Sequence, residues 1–355
     1  MPMPTIAETT VEKIEMVFPE HAGAPGQIHG GRMMQWITEA GTMAAARMAH
    51  GQVVLGAMDD IDFLHPVKVG EIAILRAQVE YIGRSSLEVG VRVWAENVST
   101  GARSVTLNSH LVFVSVGGDI RPRLVRERIE PRDAAEMALV EAARQRREQR
   151  LIRWTKRRDM VNPALSGDPE PHSTLNRPPA VRAGHADPAP TDTTWRFESV
   201  RPVLPEDALF GTTMFAGKLL MALDEAGGIL SMRYCRGLVM TACLDAMDFY
   251  APISTHEVVT FKAGLNYVGT SSLEVGVKVL TEKPWTGEVR HACTAFLTYV
   301  HLGPDLRPRP CPPFTPETPD EKQRWEAARE RRELRLARVK RLKAALAGES
   351  PAEKG

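Results

Sequence analysis

The chain has 355 residues, 45 Lys and Arg against 44 Asp and Glu, a formal net charge of +1 and a pI of about 7.8. This balance excludes a global field that would gather nucleic acid or an acidic membrane, and the length suffices for two domains with separate cores. The four cysteines, Cys235, Cys243, Cys293 and Cys311, all fall in the second half without a CxxC, so a reducing cytosol is expected rather than a disulfide framework. The N-terminal MPMPTIAETTVEKIEMVF lacks a basic start before an apolar core. No apolar run reaches the ~18 residues of a membrane span, so a soluble, non-exported, cytoplasmic protein is expected.

In chain order, a short strand is expected at residues 9–17, then a Pro/Gly-bearing loop and a long apolar helix opening at GQIHGGRMMQWITEAG. Strand-like runs follow at 53–63, 71–82, 87–96 and 103–116, separated by turn signals such as His65-Pro66, Gly83 and Thr100-Gly101. The same series then returns. YIGRSSLEVGVRV, from Tyr81, reappears as YVGTSSLEVGVKV, from Tyr267, and Pro19/Pro205, Gly31/Gly217, Arg47/Arg233, Asp62/Asp248 and Asp119/Asp305 are all separated by the same 186 residues. A period this long is a whole domain, beyond the ~20–50 residues of solenoid repeats. In the second copy Leu219, Leu220, Leu223, Ala226, Gly227 and Leu230 recur at helical spacing. Each copy therefore reads as α+β, an antiparallel sheet wrapped around one buried helix.

Between the copies, residues 161–194 are rich in Pro, Gly, Ser and Asp and read as a linker. The divisions expected are a first domain at 8–130, a charged helix at 131–160, the linker, a second domain at 195–314 and a charged C-terminal helix at 315–348. The charged helices carry EAARQRREQR and EAARERRELR, which read as solvated faces laced by Glu–Arg pairs at i, i+3 and i+4 rather than as nucleic-acid or membrane surfaces.

The chain has no GxxxxGK[ST], no GxGxxG after a strand, no HExxH and no GxSxG; Gly269–Leu273 lacks the closing glycine of the last. No metal site and no cofactor are expected. The loop-to-helix junctions stand out instead. Gly30 and Gly31 before a buried helix suit either close packing or an anion site at the positive end of the helix dipole. Asp224 lies inside the second apolar helix, where a carboxylate is costly unless paired or used, and its counterpart in the first copy is Thr38. One retained and one abandoned catalytic position is the functional reading; a satisfied structural acid is the other.

The ordered set HGGRMMQWITEAG/FAGKLLMALDEAG, DDIDFLHPVKVGE/DAMDFYAPISTHE and GRSSLEVGV/GTSSLEVGV resembles the hotdog-fold acyl-CoA thioesterases with two fused hotdog domains. The resemblance implies hydrolysis of fatty acyl-CoA to free acid and coenzyme A, sites at the interface of the paired domains, and a homo-oligomer, most simply a trimer of double hotdogs. It implies Asp224 as the catalytic acid and Gly30 as the oxyanion glycine. It also implies Arg84, Ser85, Ser86, Thr270, Ser271 and Ser272 as coenzyme A contacts, with His29 and Gly31 beside the substrate. The family's loop amide falls on Gly23, a departure, and Gln27 is the first candidate to replace it, then His21. The second site would combine Leu209 and Ala216 with Thr38, lacking both amide and acid. Two other functions compete: a non-catalytic acyl-CoA-binding double hotdog, and a hotdog dehydratase or hydratase using His21, for which Gln35 stands where an acid would be needed.

Overall fold

The computed structural model describes residues 3–23, 25–166 and 195–348, so most of the expected linker lies outside the described residues. The first copy runs β1 (Val11–Met16), α1 (Gly30–Ala49), β2 (Val53–Met58), β3 (Ile61–Asp62), β4 (Ile72–Ile82), β5 (Ser86–Glu96), β6 (Arg103–Ser115) and α2 (Ala134–Ser166). The second runs β7 (Arg196–Pro202), β8 (Ala208–Leu209), β9 (Thr213–Met214), α3 (Ala216–Cys235), β10 (Leu238–Leu244), β11 (Met247–Asp248), β12 (Val258–Val268), β13 (Ser272–Lys283), β14 (Glu288–Leu302) and α4 (Pro319–Gly348). Helix α2 continues through Asn162–Ser166, a stretch expected to be linker.

Helices α1 and α3 are buried on most sides because small residues let the sheets close around them. Met33, Met34, Ile37 and Ala40 on α1 and Leu220, Leu223 and Leu230 on α3 are almost wholly enclosed. Gly41 of α1 meets the ring of Phe113, and the repeat-equivalent Gly227 of α3 meets the ring of Tyr299; a Cβ there would lie 3.1 Å from Phe113 Cε2 and 2.4 Å from the Tyr299 hydroxyl. Both helices end on a left-handed residue, His50 at φ 45° and Arg236 at φ 49°, so the backbones terminate alike although neither residue is glycine.

The sheets are antiparallel, ordered β1-β4-β5-β6-β2-β11 and β3-β10-β14-β13-β12-β7. The run expected at 53–63 breaks at Asp59-Asp60. Its second part, β3, leaves its own sheet to pair with β10 (Ile61 with Leu244), while β11 pairs with β2 (Met247 with Met58). Two copies could pair edge strand to edge strand; here each inner edge is covered by two residues of the other copy. Phe63 N–H to Ala242 O and Phe249 N–H to Gly56 O, both 3.0 Å, extend each exchange. Either arrangement removes the unpaired edge that an isolated copy would expose.

The charged helices depart from the solvated faces expected of them. On α2, Arg146 donates to Glu80 (2.7 Å) and Glu88 (2.6 Å), and Arg150 donates to Asp59 (2.7 Å) and Glu88. On α4, Arg331 and Arg335 hold Glu274, and Arg335 also holds Asp245 at 2.6 Å. Arg150, Arg335, Glu88 and Glu274 are buried. The glutamate of each SSLEV segment is thus the anchor for a helix lying over the outer face of its sheet. The next arginine along each helix crosses to the opposite copy: Arg153 reaches Asp248 at 3.3 Å and Arg338 reaches Asp62 at 2.6 Å.

Candidate active site

Asp224 sits about two turns into α3 and is 1% exposed. Its Oδ2 accepts the Gly31 N–H at 2.7 Å, and its Oδ1 accepts the hydroxyls of Thr241 on β10 (2.8 Å) and Tyr299 on β14 (3.0 Å). Tyr299 also donates to the Asp224 backbone carbonyl at 2.9 Å. Burial, then the Asp224 carboxylate, pushes the Tyr299 phenol well above its ordinary pKa, so it remains a donor. Three fixed donors offset the desolvation of the buried carboxylate, and a carboxylate with about four acceptor positions keeps room on Oδ2 for one more.

The start of α1 reaches this acid because it is glycine. A Cβ on Gly30 would stand 2.6 Å from Thr241 Cβ and 3.1 Å from Asp224 Oδ2, and one on Gly31 would stand 2.9 Å from Met221 Cα. Gly30 is the first residue of α1, so its N–H has no intrahelical acceptor and points outward at the positive end of the dipole. Gly31 was expected to contact substrate; its N–H is instead committed to the acid. His29, just before the helix, brings Nδ1 to 3.6 Å from Asp224 Oδ2, too long for a hydrogen bond. That Nδ1 is buried without a partner among the described residues.

Gly23 packs directly on His29, and a Cβ there would lie 2.6 Å from the His29 Cδ2. The place where the family amide would start is occupied by the histidine ring. Gln27 shares the loop, its carbonyl accepting the Gly23 N–H at 3.1 Å, and its side-chain Oε1 is buried with no partner among the described residues. No hydrogen bond links Gln27 to Asp224. His21 is occupied elsewhere: its Nδ1 accepts the Phe18 N–H at 3.2 Å and its ring stands edge-on to Trp36 at 5.0 Å. Gln35 accepts from Arg32 and donates to Glu39, so His21 and Gln35 do not form an acid–base pair.

Ser85 and Ser86 in the first copy, with Ser271 and Ser272 in the second, occupy matching β-turns, alongside an exposed Arg84 and an exposed Thr270. Gly83 N–H to Ser86 O and Gly269 N–H to Ser272 O, both 2.7 Å, close the two turns alike. No hydrogen bond or ion pair connects either turn with the Asp224 cluster.

The family model of the Thioesterase superfamily matches residues 25–102 and again 211–287, the two starts separated by the same spacing as the repeat. The uncharacterized acyl-CoA thioester hydrolase YkhA of Bacillus subtilis is 41% identical over 119 residues, which is 34% of this chain and 69% of that protein. The human cytosolic acyl coenzyme A thioester hydrolase is 29% identical over 323 residues, 88% of this chain and 79% of that protein. The chain belongs to the double-hotdog acyl-CoA thioesterase family. Among solved structures, an acyl-CoA hydrolase from Staphylococcus aureus, determined with butyryl coenzyme A, coenzyme A and coenzyme A disulfide, is 30% identical with a TM-score of 0.43. The match covers 46% of this chain and 99% of that one.

In this double-hotdog thioesterase the copies diverge as a set around the acid. Opposite Asp224, Thr241, Tyr299 and His29 stand Thr38, Leu55, Phe113 and Phe215. The Thr38 hydroxyl turns back to its own helix, donating to Met34 O at 2.8 Å. A cavity of about 300 Å³ lies over this acid-less position rather than at Asp224, lined by Thr38, Leu55, Leu209, Phe215, Ala216 and Phe249 among others. At the acid, His29, Thr241 and Tyr299 close around the carboxylate. Thr241 and Tyr299 were not among the expected site residues. The signal that would have found them is the repeat itself: both are polar in the copy that has the acid and apolar in the copy that lacks it.

Proposed function

We propose that the protein hydrolyses fatty acyl-CoA to free fatty acid and coenzyme A at one site per chain, with Asp224 as general base and the Gly30 N–H as oxyanion donor. The observation that carries the reading is a buried carboxylate held by donors from both copies, while the equivalent position has lost the acid and its side-chain partners together. Asp224 takes a proton from water as the water oxygen attacks the thioester carbonyl carbon. The π pair moves to the carbonyl oxygen, where a fixed N–H contributes about 3–4 kcal/mol in sites of this kind. Collapse of the intermediate breaks the C–S bond, and the proton on Asp224 passes to the departing thiolate.

General-base action is preferred to direct attack because both carboxylate oxygens already accept fixed hydrogen bonds, which lowers their nucleophilicity and holds their orientation. His29 takes the orienting role that Gly23 cannot supply, with Gln27 behind it, since each offers a buried atom without a protein partner. Arg84, Ser85 and Ser86, with Thr270, Ser271 and Ser272, contact coenzyme A, and Arg84 is suited to its phosphates.

The protein works in the cytosol, a reading supported by the human relative's name; no helix among the described residues is long and apolar enough to cross a membrane. Assembly into a trimer of double hotdogs is supported by exposed apolar side chains on the outer edge strands, Ile14 and Met16 on β1 and Val200 on β7. Release of free thiol from medium- and long-chain acyl-CoA by the intact chain tests the activity. Saturable acyl-CoA binding without thiol release would put the non-catalytic binding protein in its place.

A further inference from the structure

Away from the acid, one group of three metal-ligating side chains converges among the described residues: Cys235, His301 and Cys311, whose ligand atoms all lie within 4.8 Å of one another. Cys235 is the last residue of α3, His301 lies near the end of β14, and Cys311 follows in the extended segment beyond it. Main-chain hydrogen bonds fix the strand and segment that carry two of them. His301 N–H donates to Ser271 O (2.9 Å), Cys311 N–H to Thr270 O (2.8 Å) and Arg309 N–H to His301 O (2.8 Å).

The first copy builds the same corner with the same backbone bonds. Ser115 N–H donates to Ser85 O (2.8 Å), Val125 N–H to Arg84 O (2.9 Å) and Arg123 N–H to Ser115 O (2.7 Å). There the three equivalent positions are Ala49, Ser115 and Val125, which offer no comparable ligand set. The corner therefore folds without cysteine or histidine, and their joint presence in one copy calls for another explanation.

The histidine supplies part of it. His301 Nδ1 lies 2.9 Å from the Pro310 carbonyl; a carbonyl oxygen only accepts, so Nδ1 carries the proton and Nε2 keeps its lone pair. A backbone carbonyl on the non-ligating nitrogen is the usual way a metal-binding imidazole is oriented. Nε2 sits over Gly237, where a Cβ would come within 2.7 Å of it, so glycine leaves the space that nitrogen needs. Two thiolates and one imidazole suit Zn²⁺; tetrahedral bonds of about 2.3 Å to sulfur and 2.0–2.1 Å to nitrogen set ligand atoms about 3.5–3.8 Å apart, so the three side chains share one ion once they close by up to roughly 1 Å.

We propose that Cys235, His301 and Cys311 form a zinc site that pins the segment after β14 to the end of α3, with its fourth position open to solvent. Binding one Zn²⁺ displaces a proton from each thiol, so two protons are released per ion.

The test is titration of Zn²⁺ into the intact, reduced protein against a chromophoric chelator, with Co²⁺ as a spectroscopic substitute. One equivalent of Zn²⁺ and a Co²⁺ spectrum with thiolate charge-transfer bands are expected. The variant C235A/H301S/C311V carries the residues the first copy uses at the same corner, and it should bind none while hydrolysing acyl-CoA as the wild type does. If that variant does not fold, Cys311→Ser alone should remove the charge-transfer intensity expected from its thiolate. Equal zinc uptake by wild type and either folded variant would overturn the proposal. So would absence of competition at micromolar chelator, or a Cys235–Cys311 disulfide found by mass spectrometry in the protein prepared under reducing conditions.

Discussion

Replacing Tyr299 with Phe removes one hydroxyl from the surroundings of the acid. The hydroxyl's one proton is shared between Asp224 Oδ1 at 3.0 Å and the Asp224 backbone carbonyl at 2.9 Å. A hydrogen bond to a charged group contributes about 1.5–3 kcal/mol, which at 1.4 kcal/mol per tenfold corresponds to a loss of roughly 10- to 100-fold in rate. Thr241 and the Gly31 N–H still hold the carboxylate, which places the expected loss toward the lower end, about 10- to 30-fold. The loss should fall on kcat with KM little changed, because the phenol is buried and bonded to the acid. Phe113 occupies the equivalent position against Gly41, so the ring itself is tolerated, and the loss of stability should stay within the same range of about 1.5–3 kcal/mol. Thiol release measured over a range of acyl-CoA concentrations, beside thermal unfolding of the same preparations, separates the two effects. A Tyr299→Phe enzyme with wild-type kcat would refute the idea that the cage positions the acid.

Gly23→Asn, which restores the family's amide on paper, should lower turnover at least tenfold, because its Cβ would meet His29 Cδ2 at 2.6 Å and displace the ring beside the acid; steady-state kinetics that rise instead would show that the loop can be rebuilt in the family pattern. His29→Ala should reduce kcat more than Gln27→Ala, since His29 Nδ1 stands 3.6 Å from Asp224 Oδ2 and no hydrogen bond joins Gln27 to the acid; the reverse ranking would return the orienting role to Gln27. Arg335→Ala should destabilise the fold by about 3–5 kcal/mol, because it strips a partner from buried Asp245 and Glu274. Glu326→Ala, which breaks an exposed pair with Arg329 on the same helix, should change stability by less than about 1 kcal/mol. Denaturant unfolding of both variants reads that contrast.

The two-copy architecture was legible because landmark residues such as Gly31 and Gly217 recur at one constant spacing, and because the longer strands alternate as half-buried strands must. The exchange of β3 and β11 was not, since two residues carry no periodicity, and Asp62 and Asp248 are held by arginines distant in sequence. Docking of α2 and α4 was hidden because a Glu/Arg-rich helix reads the same whether its arginines face water or Glu88 and Glu274. Asp224 could be found as a polar residue in an apolar helix. Thr241 and Tyr299 could not be found that way, because Thr and Tyr are ordinary in strands; they required comparison with Leu55 and Phe113. Gly23 showed a missing amide but not the His29 ring packed against it, and Cys235, His301 and Cys311 lie too far apart in the chain for any ligand spacing to be recognised.

On the proposed mechanism only one of the two equivalent positions catalyses. Turnover of Asp224→Asn and Thr38→Ala, measured by thiol release on the same acyl-CoA, tests it most directly. A loss of at least about a hundredfold is expected for Asp224→Asn, within the span of a positioned base, and near-wild-type turnover for Thr38→Ala, whose hydroxyl is bonded to Met34 O in its own helix. Equal losses from the two changes, or an active Asp224→Asn enzyme, would contradict it.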